Sequence, residues 1–171
     1  FSFHTQYGEF VRTYPGLAWL SGTLWRLMRA FHNTADVNLT VSQTMLEDLQ
    51  RRGFDRMQLW PPAVDSQRFS PALRDPAMRS RLSGNRPVEL LLLTVSRLAA
   101  EKNVGFLTEV LDRVPDGQLA VVGDGPERDA LERRFAGRLA TFPGCLTGNQ
   151  LSQAYASADV FVYASETETM G

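Results

Sequence analysis

Two cations follow an apolar stretch of the chain at a spacing that suits an anion site. The run Leu90–Val95 has the length and the β-branched end of a buried strand in a parallel sheet. Arg97 and Lys102 come shortly after it, and Asn103 then offers a helix N-cap. Because α/β proteins bind anions where a strand ends ahead of a helix, we expect the two cations to hold a diphosphate. A solvated surface pair with Glu101 as local counter-ion fits the spacing equally well.

Lys102 is notable because it is the only lysine among 18 basic residues. Arginine and lysine are not interchangeable at an anion site, since one is a planar fork of donors and the other a compact point charge. A lone lysine in an arginine-rich chain therefore strengthens the case for a specific role.

A glycine-containing turn follows the next apolar run, at 118–122. Gly123, Asp124 and Gly125 precede Pro126, which suits the first position of a helix. Glycines there let the backbone approach a ligand, and Asp124 or Gly125 is expected to cap the helix. The pattern is neither GxGxxG nor a phosphate-binding loop with lysine. A tight strand-to-helix turn is the interpretation we favour.

Two further candidates lie near the chain ends. Glu168 follows a predicted strand at 159–163, where its carboxylate can accept hydrogen bonds from sugar hydroxyls. The backbone of Met170 and Gly171 can open a helix whose N–H groups face phosphate. An acidic capping turn fits equally well. His4, at the end of a predicted strand, can act as donor or acid/base, although a structural role is commoner for a lone histidine.

The order of the elements predicts an α/β protein. Apolar runs of strand length alternate with amphipathic helices of about ten residues, which is typical of parallel sheets with right-handed crossovers. Residues 1–88 carry 11 Arg and 7 acids, whereas 89–171 carry 7 basic residues and 12 acids. This split predicts a boundary near residue 88, after a polar linker at 66–87 with one helical turn or two at 76–82.

Composition excludes several classes of protein. The longest apolar run falls far short of a membrane span, and a single cysteine excludes an internal disulfide. The net charge of −1 gives no sign of a nucleic-acid partner. No His/Cys spacing or Asp-x-Asp pair suggests a metal, and no GxSxG motif suggests a serine hydrolase.

The motifs together resemble glycosyltransferase family 4, retaining enzymes of the GT-B fold. They are SFHT at 2–5, VD at 64–65 ahead of FSP at 69–71, VSRLAAEKN at 95–103, VVGDGPERDALE at 121–132, AYASADVFVYAS at 154–165 and ETMG at 168–171. Their order and spacing, rather than any single motif, carry the likeness, which covers essentially the whole chain.

The resemblance implies two Rossmann-like domains, both incomplete in this chain. Residues 1–88 would be the latter part of the acceptor-side domain plus linker, and 89–171 the first part of the nucleotide-sugar domain. The second glutamate of the family's Glu, seven residues, Glu motif would fall past Gly171, and the first half of the acceptor domain is missing. We therefore expect this stretch to be inactive alone.

The resemblance also implies roles for individual residues. Arg97 and Lys102 would hold the donor diphosphate with the backbone of Met170 and Gly171. Glu168 would contact the donor sugar, and His4 would line the reaction centre. The turn Gly123, Asp124, Gly125 would lie near the donor, and the base near 143–146. No metal or other cofactor is expected.

Within the family, the chain is similar to the sulfoquinovosyl transferases of sulfolipid synthesis. That likeness implies transfer of sulfoquinovose from UDP-sulfoquinovose to diacylglycerol, whereas GDP-mannose-dependent mannosyltransferases and a non-catalytic nucleotide-binding module remain alternatives. The partners would be a nucleotide-sugar and a lipid or glycan acceptor, with no nucleic acid. A cytoplasmic or peripheral membrane location follows, or the chloroplast envelope in a photosynthetic eukaryote. The helix expected at 17–31 fits contact with an anionic membrane, but we favour ordinary core packing for it.

Overall fold

The computed structural model describes residues 1–3, 16 and 18–165 of the chain. These form two compact units that divide between Ala63 and Val64. Each unit has its own parallel sheet, so the predicted α/β class with parallel sheets is confirmed. The two units are described separately below.

Unit 1 is a three-stranded parallel sheet with two helices. Its elements are β1 Ser2–Phe3, α1 Ser21–His32, β2 Asn38–Thr40, α2 Gln43–Arg51 and β3 Met57–Leu59. The strands lie in the order β1-β2-β3, and every pair is parallel. Its core is built from buried side chains of the sheet, of both helices and of the loop after α2, namely Phe3, Trp25, Met45, Leu49 and Phe54.

Local signals in the sequence account for the ends of α2. Ser42 has an extended backbone, and its hydroxyl accepts a hydrogen bond from the backbone N–H of Met45, which satisfies one of the free donors of the first turn. Gly53 has φ +82° just beyond the helix, a conformation that glycine adopts without strain. Both residue types are common at these two positions of a helix.

Helix α1 is buried on one face only. Trp25 and His32 are buried, whereas Leu27 and Phe31 are 64% and 58% exposed and the preceding Trp19 is 76% exposed. The core packing that we favoured for this helix is thus present at Trp25 and His32, whereas Leu27 and Phe31 lie outside the core. The face that is buried is the one that meets the sheet of unit 1.

His32 has a structural role in unit 1. Its ring stacks on Phe3 with 4.0 Å between ring centroids, and Nδ1 lies 3.0 Å from Oδ1 of Asn38. Burial lowers the pKa of the imidazole, although the hydrogen bond with Asn38 opposes that shift. The neutral ring is therefore favoured, which suits a residue packed among aromatic side chains.

Unit 2 is a four-stranded parallel sheet with helices on both faces. Its helices are α3 Pro76–Leu82, α4 Leu107–Arg113, α5 Arg128–Arg134 and α6 Gly148–Ser157; its strands are β4 Leu90–Val95, β5 Gly117–Val122, β6 Ala140–Gly144 and β7 Val160–Phe161. The strand order is β6-β5-β4-β7. Short 3-10 turns precede α3 and α4, at Pro71–Leu73, Ala100–Lys102 and Val104–Phe106.

Burial on both faces explains the unbroken apolar run of β4. Leu92 packs into a cluster with side chains of α4 and α5, whereas Leu91 and Leu93 pack into a second cluster with side chains of α3 and α6. Every residue of β5 is buried as well. A central parallel strand has no solvent face, so alternation of polar and apolar residues is absent.

The segment expected to be a linker is instead part of unit 2. Asp75 caps α3 by accepting a hydrogen bond from the N–H of Ala77, with Pro76 at the first helical position. Met78 and Leu82 of this helix are buried in the sheet's second cluster. The five arginines and the turn residues of this segment made its composition typical of a linker. The compact unit nevertheless begins at Val64 rather than near residue 88.

One carboxylate ties this segment to the sheet. Asp159, just before β7, accepts hydrogen bonds from Nη2 of Arg79 at 2.7 Å, from Nη2 of Arg74 at 3.3 Å and from the backbone N–H of Leu91 at 2.8 Å. The hydrogen bond from Arg79 is the main reason that the pKa of Asp159 is lowered. Ser157 adds a bond by accepting from the N–H of Asp75 at 3.0 Å.

We expect Asp159→Asn to lower the free energy of unfolding of unit 2 by about 2 kcal/mol at pH 7, because hydrogen bonds to an ionised group are lost. Since the folded pKa is lowered, the carboxylate contributes stability above its unfolded pKa and loses that contribution as pH falls through about 4 and below. Urea denaturation at pH 7 and at pH 3.5 measures both effects, and the gap between variant and parent should shrink at the lower pH.

Asp112→Asn is the matched control. Asp112 also receives two hydrogen bonds from one arginine, Arg138, at 2.9 and 3.0 Å, but this pair is on the surface. Solvent screens it, so the change in stability should be small. Equal effects of the two substitutions would contradict the anchoring role of Asp159.

Candidate functional site

The strand order fixes one crevice at the carboxyl edge of the sheet of unit 2. The chain runs from β4 outward through β5 to β6, and then returns to place β7 on the other side of β4. The order therefore reverses between β4 and β7, which is the point where open α/β sheets bind ligands. The loop that carries Arg97 and Lys102 begins here.

Arg97 is an exposed cation held by a buried acid. Its Nη2 donates to a carboxylate oxygen of Glu101, four residues on; the arginine side chain is 62% exposed and the glutamate side chain only 6%. The guanidinium is therefore open to solvent on one side and fixed on the other. Of the two sequence interpretations, the counter-ion role of Glu101 is present in the structure, and it leaves Arg97 accessible to an anion.

Lys102 lies close enough to act on the same carboxylate. Desolvation alone would raise the pKa of Glu101, but the hydrogen bond from Arg97 and the charges of Arg97 and Lys102 outweigh it, and the pKa is lowered. Glu101 is thus ionised at neutral pH. Arg97 and Lys102 thus both act on the carboxylate of Glu101.

Asn103 does not cap a helix, contrary to the sequence-based expectation. It has φ 47° and ψ 32° and makes no side-chain cap hydrogen bond; it ends the 3-10 turn Ala100–Lys102 and starts the turn Val104–Phe106. Asparagine is among the few residues that enter this left-handed region at low cost. Asn103 thus separates the two 3-10 turns.

The predicted glycine turn after β5 interlocks with the loop after β4. The N–H of Leu98 donates to the carbonyl of Asp124 at 2.9 Å, and the N–H of Glu127 donates to the carbonyl of Leu98 at 2.9 Å. A Cβ on Gly123 would lie 1.9 Å from the oxygen of Ser96, and one on Gly125 would lie 2.3 Å from the oxygen of Leu98. Close approach of backbone explains both glycines, as the strand-to-helix interpretation predicted.

The helix cap expected at Asp124 or Gly125 is not where the sequence placed it. The cap residue of α5 is Glu127, and no side chain caps it. The Asp124 carboxylate accepts from the N–H of Gly125 at 2.8 Å and so stabilises the turn itself. The helix therefore begins two or three residues later than expected, because the turn first bonds to the loop of Leu98.

The loop after β6 lies on the same edge. Gly144, the last residue of β6, accepts a hydrogen bond from the N–H of Gly123 at 3.0 Å, so the end of β6 is joined to the loop after β5. Cys145 follows and is exposed. The segment 143–146, which the family resemblance placed near the nucleobase, is thus at the edge that carries Arg97.

The end of β7 is joined to the loop of the cations. The hydroxyl of Ser165 donates to the backbone carbonyl of Glu101 at 3.1 Å. Glu168, Met170 and Gly171 follow within six residues, but they lie outside the described residues, as does His4. Their predicted roles remain predictions, as do those of Arg97, Lys102, Gly123, Asp124 and Gly125.

Sequence reasoning undervalued two side chains of this site. Glu101 was expected only as a local counter-ion, and nothing in the pattern showed that its carboxylate is buried. Ser165 was part of a quoted motif without a role. The signal for Glu101 is its position four residues after Arg97 in a loop that contains a 3-10 turn, a spacing that allows contact.

No cluster of three His, Cys, Asp or Glu side chains is placed to hold a metal ion within the described residues. Likewise, none of the described helices has the length and hydropathy required to span a bilayer.

Comparison with known proteins gives a consistent result over both units. The family model described as "Glycosyl transferases group 1" matches residues 89–171, and that described as "Glycosyltransferase Family 4" matches residues 1–68. Sulfoquinovosyl transferase SQD2 of Arabidopsis thaliana is 40% identical over 99% of this chain and 34% of its own length. A GDP-mannose-dependent alpha-mannosyltransferase of Mycobacterium tuberculosis is 36% identical over 98% of this chain and 43% of its own.

Solved structures show the same fold at lower identity. HepE of Anabaena, crystallised with UDP and glucose, superposes with a TM-score of 0.73 at 19% identity, over 96% of this chain and 45% of that protein. Sucrose-phosphate synthase of Thermosynechococcus elongatus gives 0.71 at 22% identity, over 99% and 45%. This chain thus spans about a third to less than half of the length of these proteins.

We expect Gly125→Ala to destabilise unit 2 by about 3 kcal/mol or more, because the new Cβ would overlap the Leu98 carbonyl as well as strain the backbone. Gly137→Ala is the matched control: its φ is +80° but no atom lies within 4 Å of the new Cβ. Strain alone should cost that variant about 1 kcal/mol. Thermal and urea unfolding compare the two, and similar losses would contradict the close packing of the loops.

Proposed function

This chain belongs to glycosyltransferase family 4, and from that premise we propose that its unit 2 holds the diphosphate of a nucleotide-sugar donor between β4 and β7. The fold is that of the GT-B glycosyltransferases. The observation that supports the proposal most directly is the convergence of Arg97, Glu101 and Lys102 at the switch point of the sheet.

The arrangement suits the chemistry of a leaving diphosphate. Negative charge grows on the leaving group as the bond to the sugar breaks, and fixed cations at that place stabilise the transition state. Arg97 presents a planar fork that matches phosphate oxygens, and Lys102 adds a point charge. Neither requires a metal, in line with our proposal that the donor is bound without one.

Glu101 prepares Arg97 for this role. A guanidinium that is already bonded on one side loses less side-chain freedom when an anion binds on the other. The buried carboxylate also balances part of the positive charge of Arg97 and Lys102. We therefore assign Arg97 and Lys102 to the donor and Glu101 to the support of Arg97.

The remaining roles rest on the family resemblance. We propose that Glu168 contacts the donor sugar, that the backbone at Met170 and Gly171 approaches the phosphates, and that His4 lines the reaction centre. Gly123, Asp124 and Gly125 would shape the wall of the site through the loop of Leu98. Retention of configuration would follow from attack on the face of the leaving group.

Sulfoquinovose is the donor sugar that we propose, carried by UDP and transferred to diacylglycerol. The support is the 40% identity to a sulfoquinovosyl transferase along nearly the whole chain. Similarity to GDP-mannose-dependent mannosyltransferases, at 36% identity, supports mannose from GDP-mannose as the second candidate. A lipid acceptor would place the enzyme at a membrane surface, in the chloroplast envelope if the organism is a photosynthetic eukaryote.

Arg97→Ala and Lys102→Ala should each weaken binding of UDP or GDP to the full-length protein by more than about 1 kcal/mol, the scale of a charge-assisted hydrogen bond. Isothermal titration with UDP, GDP and their sugars measures this and also identifies the base. Arg113→Ala is the control, because this arginine is exposed at the end of α4 and pairs with Glu109. Unchanged affinity in both test variants would exclude the diphosphate clamp.

The single cysteine offers an independent measurement. Cys145 is exposed beside the segment expected to meet the base, so saturating UDP should slow its reaction with a thiol reagent severalfold. Inorganic phosphate, which has no base, should leave the rate unchanged. At a UDP concentration near the Kd of the parent protein, Arg97→Ala should give less protection than the parent, and equal protection would argue that Arg97 does not hold the diphosphate.

A further inference from the structure

Arg128, the first residue of α5, joins the glycine turn after β5 to the end of β6. Its Nη2 donates to the backbone carbonyl of Phe142 at 3.1 Å, and its own backbone N–H donates to the carbonyl of Gly125 at 3.1 Å. We propose that Arg128 is a positioning residue for the nucleoside half of the donor, because it holds the end of β6 where the nucleoside meets the edge of the sheet. This inference rests on the donor site proposed above.

The end of β6 does not follow the regular ladder of the sheet. Ala120 of β5 lies opposite Thr141. Val122, two residues on in β5, lies opposite Gly144, which is three residues on in β6. β6 therefore holds one residue more than β5 over this stretch, and Pro143 within it has no N–H to donate to a neighbouring strand. Irregularities of this kind occur at sheet edges and beside active sites, where they redirect the chain.

The side chain of Arg128 supports this strand end from outside the ladder. Its Nε lies 2.9 Å from Oε1 of Glu132, one helical turn on, while Nη2 bonds to the carbonyl of Phe142. The guanidinium also lies against Gly144, where an added Cβ would be 3.8 Å from Nη1. Arginine can make both bonds at once because its donors form a rigid planar fork. The side chain is only 29% exposed, so its two bonds hold it in one place.

Packing beneath Arg128 is independent of its hydrogen bonds. Leu131 and Phe135 of the same helix are buried in the core cluster of unit 2, and the ring of Phe135 meets that of Phe142 with 5.8 Å between centroids. These contacts hold β6 on the helix. The hydrogen bond from Arg128 instead sets the direction of the backbone just before Pro143. Loss of the Arg128 side chain should therefore leave the core intact and free the strand end.

The dimensions of the edge bring the nucleoside within reach of β6. With Arg97 and Lys102 on the diphosphate at the end of β4, the proposed sugar contacts at 168–171 follow β7, on one side of β4. The nucleoside and the sugar are joined to opposite ends of the diphosphate, so the nucleoside extends the other way, over β5 toward β6. Two strand spacings, about 10 Å, separate β4 from β6. A nucleoside covers that length and reaches the end of β6, where Cys145 is exposed.

The test compares UDP with inorganic pyrophosphate, which is a diphosphate without a nucleoside, by calorimetry on the full-length protein. Arg128→Ala should weaken the binding of UDP about fivefold, the scale of one lost hydrogen bond, and should leave the Kd of pyrophosphate unchanged. Arg133→Ala removes the same charge from an exposed position in the same helix and should change neither. Arg97→Ala should weaken both ligands and so reports on the donor site itself.

Hydrogen exchange measures the cause without a ligand. Amides of residues 144–147 in the unliganded protein should exchange severalfold faster in Arg128→Ala than in the parent or in Arg133→Ala. Arg128→Lys keeps the charge but lacks the planar fork, so it should show the same selective loss of UDP affinity to a smaller extent. This variant provides the comparison if Arg128→Ala does not fold.

Equal losses for UDP and pyrophosphate in the folded Arg128 variants would overturn the proposal, because they would indicate contact with phosphate or a general loss of structure. Unchanged UDP affinity would overturn it whatever the exchange rates. If Arg97→Ala weakens neither ligand, the donor site is wrong and this inference fails with it. If Arg97→Ala weakens both and the Arg128 variants show no selective loss of UDP, only this inference fails.

Discussion

Burial of β4 on both faces is the constraint on which the rest of unit 2 depends. Because its leucines are enclosed by helices on either side, the strand can present polar groups only at its ends. Its carboxyl end leads into the loop of Arg97, Glu101 and Lys102, and β7 returns beside it with Ser165. The two sides of the crevice therefore come from strands fixed in one sheet, which gives a loop-built site a rigid base.

The pair of Arg97 and Glu101 combines two interpretations that seemed exclusive in the sequence. A counter-ion would normally weaken the case for an anion site, since it satisfies the cation. Here the acid is buried and the guanidinium is exposed, so the bond fixes the arginine without covering it. A buried carboxylate is costly unless it is paired, which means that the acid depends on Arg97 and Lys102 as much as they depend on it.

The sequence predicted the sheet of unit 2 because a central parallel strand leaves an unmistakable apolar run. It also predicted the carboxyl-edge placement of Arg97, Lys102 and the glycine turn, since parallel strands end on one side. It could not show that Glu101 is buried, because the loop folds into two 3-10 turns around the αL residue Asn103, which resembles a helix cap in sequence. It missed the packing of α3 for a related reason: the helix has only two core residues, Met78 and Leu82, among arginines and turn formers.

The amino and carboxyl ends of the strands in unit 2 carry different groups of charged side chains. Asp159 and Leu91 lie at the amino ends of β7 and β4, where the carboxylate joins both strands to Arg79 of α3. The candidate donor site lies at the opposite ends of the same two strands. A charge network that stabilises the strand pair is thus kept a strand length away from the charges proposed to bind the donor. The ladder between β4 and β7 is short, with Leu92 opposite Val160 and Leu93 opposite Phe161, and the bonds of Asp159 add to it at one end. Because the stabilising bonds are at the amino ends, the two strands stay aligned without contacts that would fill the crevice between their carboxyl ends.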